Sequence, residues 1–381
     1  MRRARLQASV IAELERAGFL YDDGLLRLPD AADRDQKEVV RRLHALHRQN
    51  VLAKNASFVD KWEDRLIEDF ASGNEVNPAA IEPLIEAVDS EYQRSLFRFA
   101  TLHWSVPVSQ GYGRRSRFLV RDGATGKLIG VFALGDPVFN LGVRDRLIGW
   151  SQEDRQERLY NVFDAYVLGA VGPYRQLIGG KLVALCALAN DTAEYLVRKY
   201  AGTKTEIREK EKRADPVLIT TTSSLGRSSV YSRLKYRDRW AYRSIGFTGG
   251  FGHFHFSDTL FASLLEFLRE EGHEVRGHKY GEGPNWRIRT IRKALDELGL
   301  DGDLLRHGVK REVFVAPRAM GWRAFLRGES EHLHWIEYPL EDLAAFWRER
   351  WGVPRSERDA SYRGFKRDAL RLTPKLESGL S

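Results

Sequence analysis

The chain has a single cysteine, Cys186, among its 381 residues. One thiol cannot close a disulfide within the chain, and a zinc site built on cysteines is excluded with it. Cys186 falls on the apolar side of a helical pattern, where a packed, inert thiol is expected. Such sparing use of cysteine leads us to expect a reducing cytoplasm. Nor is there any run of eighteen apolar residues, so no membrane span is expected. The N-terminus, MRRARLQASVIAELERAGFL, begins basic, but Glu13, Glu15 and Arg16 interrupt its apolar part; it reads as an amphipathic helix rather than a secretory signal. Internal repeats and low-complexity blocks are missing as well.

What is present in excess is positive charge. The net charge is +8, and between Leu196 and Arg243 thirteen Lys/Arg face five Asp/Glu, a surplus as large as that of the whole chain. Charge concentrated in this way points to a polyanion, with nucleic acid, and DNA in particular, the expected partner. Within that stretch Arg233, Lys235, Arg237, Arg239 and Arg243 interleave with Tyr236, Trp240 and Tyr242, joining cations for a phosphate backbone to rings on which bases can stack. TTTSSLGRSS offers hydroxyls beside Arg227. GEGPNWRIR opens a helix with glycine N–H groups, the Asn285 amide, Arg287 and Arg289, and places Trp286 for stacking.

The spacing of apolar residues predicts an α/β protein, a mixed central sheet flanked by N-terminal and C-terminal helical regions. Residues 1–99 read as a helical domain, with stripes at Val10, Ile11, Leu14, at Val39, Val40, Leu43, Leu46, and at Ile81, Leu84, Ile85, Val88 behind an Asn77-Pro78 start. An Asp-Asp-Gly turn between the first two suggests a small hairpin, and Arg41, Arg42 and Arg48 surround the second stripe. Residues 100–256 form the α/β domain. TLHWSVPV, SRFLVRD, KLIGVFALGD and DRLIGWS read as its first strands, and PVLITTT leads through a basic short helix to its last. Residues 257–330 make a C-terminal α/β extension with two helices and the strand REVFVAP, and residues 331–381 a tail.

The stretch from Val162 to Lys199 organises the rest. VFDAYVLGAVG is too apolar for an exposed element and reads as a buried strand. Gly179-Gly180 follows, then one long helix with Leu182, Leu185, Cys186, Ala189, Leu196 and Tyr200 on its core face. Strand, glycine bend and helix N-terminus make an anion-binding geometry, to which Lys181 adds a cation; a close crossover packed on the glycines is the plainer alternative.

That order of elements resembles the core of the GNAT acyltransferases. SSVYSRL and SIGFTGG, with Ser228, Tyr231 and Gly246-Phe247, occupy the places of that family's following motifs. The segment from Gln176 to Lys181, QLIGGK, matches the first Gln and the Gly of its pantetheine–pyrophosphate loop and departs at the final small residue, where Lys181 stands. The resemblance implies acyl-CoA, or another phosphate-bearing nucleotide, at Gln176, Gly179, Gly180 and Lys181. It implies Asp164 as base and Tyr231 as acid, with buried, merely structural roles as the alternative for both.

A second resemblance is carried by WSVPVSQGYGRRSRFLVRD, GPYRQLIGGKLVAL, TTTSSLGRSSVYSRL, GFTGGFGHFHF and GEGPNWRIRTIRKALDELGL. Through these motifs, over residues 90–330, the chain resembles the Druantia DruA family of anti-phage defence proteins. A defence role beside a large helicase-like partner is what this implies. The phage Mom-type proteins, another GNAT-like group, make base modification a conceivable chemistry. His253 and His255 alternate in GFGHFHF; on a strand they would share a face, as a metal or nuclease site requires.

Overall fold

The structure, a computed structural model, describes residues 2–29, 36–108, 113–202, 215–273 and 286–373. Helix α1 (Arg2–Arg16) leads into a hairpin of β1 (Leu20–Asp22) and β2 (Leu25–Arg27), then α2 (Gln36–Leu43), α3 (Ala45–Lys54) and α4 (Ala56–Leu66). Next come β3 (Pro83–Ala87), α5 (Glu91–Leu102), β4 (Arg115–Asp122), β5 (Leu128–Gly135), α6 (Gly142–Ile148) and α7 (Gln152–Arg158). The middle holds β6 (Val162–Ala170), α8 (Gly179–Cys186), α9 (Asn190–Tyr200), β7 (Leu218–Thr222), β8 (Lys235–Tyr236), β9 (Arg239–Trp240) and β10 (Arg243–Phe247). After α10 (Asp258–Glu270) and α11 (Trp286–Leu298) the chain returns as β11 (Glu312–Pro317) and β12 (Ala319–Met320). It closes with α12 (Trp322–Leu326), β13 (His334–Trp335), α13 (Leu340–Trp347) and α14 (Val353–Arg358).

Seven strands make one mixed sheet in the order β10-β11-β7-β6-β5-β4-β3. Every neighbouring pair is antiparallel except β6 and β7. A parallel pair needs a crossover, and α8 with α9 supplies it. Alternation along the strands divides the core. Phe118, Phe132, Leu134, Phe163 and Ala165 pack with α8 on one face, whereas Leu119, Val131, Ala133 and Val167 meet Leu96, Phe97 and Phe99 of α5 on the other. A separate core joins α1 and α2 to α10 and α11 through Val10, Leu14, Leu43, Leu264 and Leu295, so the two ends of the sequence build one helical lobe.

The mixed α/β class holds, and so do the hairpin after α1 and the buried strand β6. Several local expectations do not. The third stripe is no helix: Asn77 accepts from the Ala79 N–H to cap one short turn at Pro78–Ala80, and Pro83 then opens the edge strand β3. TLHWSVPV is not a strand, because its first residues finish α5, and DRLIGWS belongs to α6, which ends on Gly149 in the left-handed region. The expected basic short helix is replaced by turns and the β8–β9 hairpin. The long helix is two helices. Ala189 is extended, and Asn190 turns out of the line to bond Glu337 (2.6 Å) and accept from the Tyr338 N–H (3.0 Å), while the buried Arg318 donates to the Ala189 carbonyl (3.3 Å). The sheet takes β3 from the region read as N-terminal helices and β11 from the one read as a C-terminal extension.

Candidate functional site

The parallel ladder of β6 and β7 is short. It pairs Val162 with Leu218, Phe163 with Ile219 and Asp164 with Thr220, and stops, although β6 continues against β5 as far as Ala170. At the same level β6 carries an irregularity, with Tyr166 between the pairs Leu134–Ala165 and Ala133–Val167. Such a bulge re-aims side chains. Where the strands part a cleft of about 2570 Å³ opens, bounded across from the sheet by α2 and α11 of the helical lobe.

Asp164 stands at the last pair of that ladder and lines the cleft. Burial drives its carboxyl up to about 6, against the Thr220 hydroxyl, which donates to Oδ1 at 2.7 Å, and the nearby charges of Arg144 and Arg115. Tyr231 also lines the cleft; its hydroxyl lies 3.4 Å from that of Thr221, and burial raises it to about 12. A carboxyl poised near 6 can hold or release a proton close to neutral pH. The phenol stays protonated there and can donate.

The cleft is strongly one-signed. Among the described residues, twelve Lys and Arg line it against two carboxylates, Asp136 and Asp164. Asp136 is already committed: Arg114 bonds it at 2.7 Å, with the guanidinium packed on the rings of Tyr160 (3.8 Å) and Phe163 (4.1 Å). Exposed cations come from elements far apart in sequence, among them Arg146 on α6, Arg227 after β7 and Arg292 on α11. Exposed rings stand with them: Arg155 lies 4.6 Å over Phe139, and Arg292 lies 5.7 Å from the Phe251 ring.

The glycine bend meets the cleft only in part. Gly180 and Lys181 line it, but a Cβ on Gly179 would sit 2.6 Å from the Tyr174 carbonyl oxygen, so that glycine serves close packing. The Lys181 Nζ donates to the carbonyls of Val230 (2.7 Å) and Ser232 (3.0 Å), and burial lowers it to about 8. Its N–H is bonded back to Ile178. The position where the acyltransferase loop needs a small residue therefore offers a ligand neither backbone nor side chain. Gln176 uses its carbonyl for Arg355 and leaves its buried Oε1 without a partner among the described residues.

Of the expected nucleic-acid contacts, Arg227 and Arg289 line the cleft, whereas Arg233, Lys235, Arg237, Arg239, Trp240 and Arg243 lie outside it, all exposed. Arg287 is structural: it binds Asp258 (2.8 Å) and the Phe256 carbonyl (2.8 Å). Trp286 packs edge-on against Phe261. Asn285 lies outside the described residues. His253 and His255 are not on a strand, so alternation does not align them. His255 is buried with Nε2 2.8 Å from the Leu304 carbonyl, burial lowers both rings to about 4, and no group of three or more metal-ligating side chains that could hold an ion occurs among the described residues. Arg146, Arg292, Phe139 and Phe251 escape a reading of the sequence, since no local pattern unites them; Arg41, on α2, is the cleft cation that the N-terminal stripes do mark.

Fold and site together define a mixed α/β protein with a positively charged cleft where the parallel strands β6 and β7 separate. The chain belongs to the DruA family: the family model described as Druantia protein DruA matches residues 34–328. It is similar to the Druantia protein DruA of Escherichia coli (strain UMEA 4076-1), 45% identical over 370 residues, which covers 96% of this chain and 91% of that protein. No solved structure matches it. No helix among the described residues is long and apolar enough to cross a membrane.

Proposed function

We propose that this chain serves anti-phage defence by binding nucleic acid in the cleft between its sheet and its helical lobe. One observation carries the reading: among the described residues, twelve cations and two carboxylates line that cleft, one carboxylate being held by Arg114. A low-dielectric concavity with one sign of charge concentrates counter-charged ligands, and a phosphate backbone is the polyanion that matches it. The helicase-like partner that the family resemblance implies would supply or receive the same strand. Gel shifts of wild type and of Arg146→Glu/Arg227→Glu/Arg292→Glu test the reading. Loss of at least tenfold in affinity supports it; an unchanged shift refutes it.

A second reading, chemistry on the bound nucleic acid, is favoured by Asp164, whose carboxyl sits near 6 beside the protonated Tyr231. It draws no support from an acyl-CoA site, since Lys181 is turned away to the Val230 and Ser232 carbonyls. The two readings separate in Asp164→Asn. Phage protection lost with nucleic-acid binding intact favours chemistry, and protection retained favours binding alone.

A further inference from the structure

The wall of the cleft carries a feature that its charge does not explain. After β5 the segment from Pro137 to Leu141 runs along the cleft without regular structure and exposes two consecutive apolar side chains, Val138 (63%) and Phe139 (43%). A loose loop would fold such side chains onto neighbouring apolar surface and out of water. This loop is held open. The fully buried Arg144 of α6 donates to the carbonyl oxygens of Val138 and Phe139, at 2.9 Å each. Asp145 fixes that guanidinium (2.7 Å), and its other oxygen accepts from the Leu141 N–H (3.2 Å) and from Arg155 (3.0 Å). Arg155 in turn lies over the Phe139 ring. A buried guanidinium is costly to a fold, and what this one fixes is the course of the loop.

Positive charge stands at the foot of the pair. A Cβ on Gly142 would meet Arg146 Nη1 at 3.1 Å, so that guanidinium lies back over the start of α6, close in sequence to Phe139. Arg155 leaves its buried Nε without a partner among the described residues. Both arginines line the cleft, and Arg146 is exposed.

An apolar pair in a wall rich in cations needs an apolar counterpart in the polyanion that the charge attracts. The large apolar surfaces of nucleic acid are the faces of its bases, and in a duplex these are reached by parting two neighbouring base pairs. Val138 has no π-face, so the pair makes a poor platform for bases already free. An aliphatic side chain beside a ring suits insertion between stacked bases instead. We propose that Val138 and Phe139 form a wedge that enters the stack of a duplex bound in the cleft and opens one base step. Arg144 holds the wedge out, and Arg146 meets the phosphate beside the opened step. The inference rests on the reading that the cleft binds nucleic acid. It deepens that reading by naming a duplex as the ligand and its local opening as what the cleft does. A closed stack keeps its bases from Asp164, and an opened step presents them.

The test uses the full chain and a set of short duplexes, each with a dye at one end and the fluorescent adenine analogue aminopurine at a different position. Anisotropy of the dye shows when a duplex is saturated, and aminopurine brightens when its neighbours unstack. Saturating wild type is expected to brighten the analogue at some positions in the set. In Val138→Ser/Phe139→Ser, also at saturation, that rise is expected to be lost. Phe139→Leu, apolar but without a ring, is expected to keep most of it. Binding by wild type with no brightening at any position overturns the wedge, as does equal brightening in the Ser variant. If Arg146→Glu/Arg227→Glu/Arg292→Glu loses that binding, the cleft reading stands without the wedge. A loss in Phe139→Leu as complete as in the Ser variant makes the ring a stacking platform and overturns the wedge. No binding of any duplex by wild type overturns both readings. Equal brightening in wild type and the Ser variant, with phage protection lost in the Ser variant, assigns the pair to a protein partner.

Discussion

The Thr220 hydroxyl donates to Asp164 Oδ1 at 2.7 Å across the last pair of the β6–β7 ladder. Among the described residues that line the cleft, this bond holds the one carboxylate that has no arginine bonded to it in the way Arg114 is bonded to Asp136. Burial raises Asp164 and Thr220 opposes the rise, so the carboxyl comes to about 6.

Because the folded value exceeds the ordinary one near 3.8, the native state binds more protons than the unfolded chain between these two values. Stability associated with Asp164 therefore falls as pH rises through that window and stays lower above it. Asp164→Asn should stabilise the protein at pH 8, on the order of 1–2 kcal/mol, and have little effect at pH 4. Thermal melts of both proteins across pH check this. Thr220→Val should move the carboxyl further up, read by following its titration.

The two glycines of the bend should respond differently to alanine. Gly179→Ala places a methyl 2.6 Å from a backbone oxygen that cannot turn aside, and a cost of about 1–3 kcal/mol is expected. Gly180→Ala meets only the Val230 side chain at 3.3 Å, and a melting point within about two degrees of wild type is expected. Equal effects would contradict the packing role assigned to Gly179.

Three histidines lie where the helical lobe meets the loop before α10. His44 accepts from Arg311 (3.2 Å) and stacks on Phe254 (4.2 Å), His255 faces the Leu304 carbonyl, and His307 accepts from the Val309 N–H (3.1 Å). Burial first, and Arg311 or neighbouring histidines after it, hold them near 3, 4 and 3. Their contribution is full above the unfolded value of 6.5 and is lost as pH falls toward those folded values. His307→Asn, whose Oδ1 can take the Val309 bond, should lose less stability than wild type between pH 7.5 and pH 5. The difference is about 2 kcal/mol at most, measured by denaturant titration at the two pH values.

Much of the scaffold was legible because its signals are local. β6 is an unbroken apolar run, α10 and α11 carry helical stripes, and the Asp-Asp-Gly turn makes its hairpin. Other signals were there and were outweighed. Ser90 and Gln93 form a capping box that opens α5, which ends in the segment read as a strand, and Gly149 marks the end of α6. Residues 81–88 imitate a helical stripe, but Pro83, with no N–H to donate, suits an edge strand. The cleft as a unit was not legible, although Asp164, Tyr231, Arg227 and Arg289 of its lining were singled out one by one. Arg41, Arg146, Arg227 and Arg292 come together only when α2 and α11 pack into one lobe facing the sheet, and adjacency of that kind leaves no spacing to read. The dense run at 233–243 drew attention by its spacing and lies on a different surface.

The most direct test of the cleft is the salt dependence of duplex affinity for wild type and for Arg146→Glu/Arg227→Glu/Arg292→Glu. The account predicts a linear fall of log K with log salt in wild type. In the variant the slope is shallower by about 0.9 for each phosphate that is no longer neutralised, close to three units if all three arginines meet one. Equal slopes in the two proteins, or wild-type affinity indifferent to salt, would contradict it.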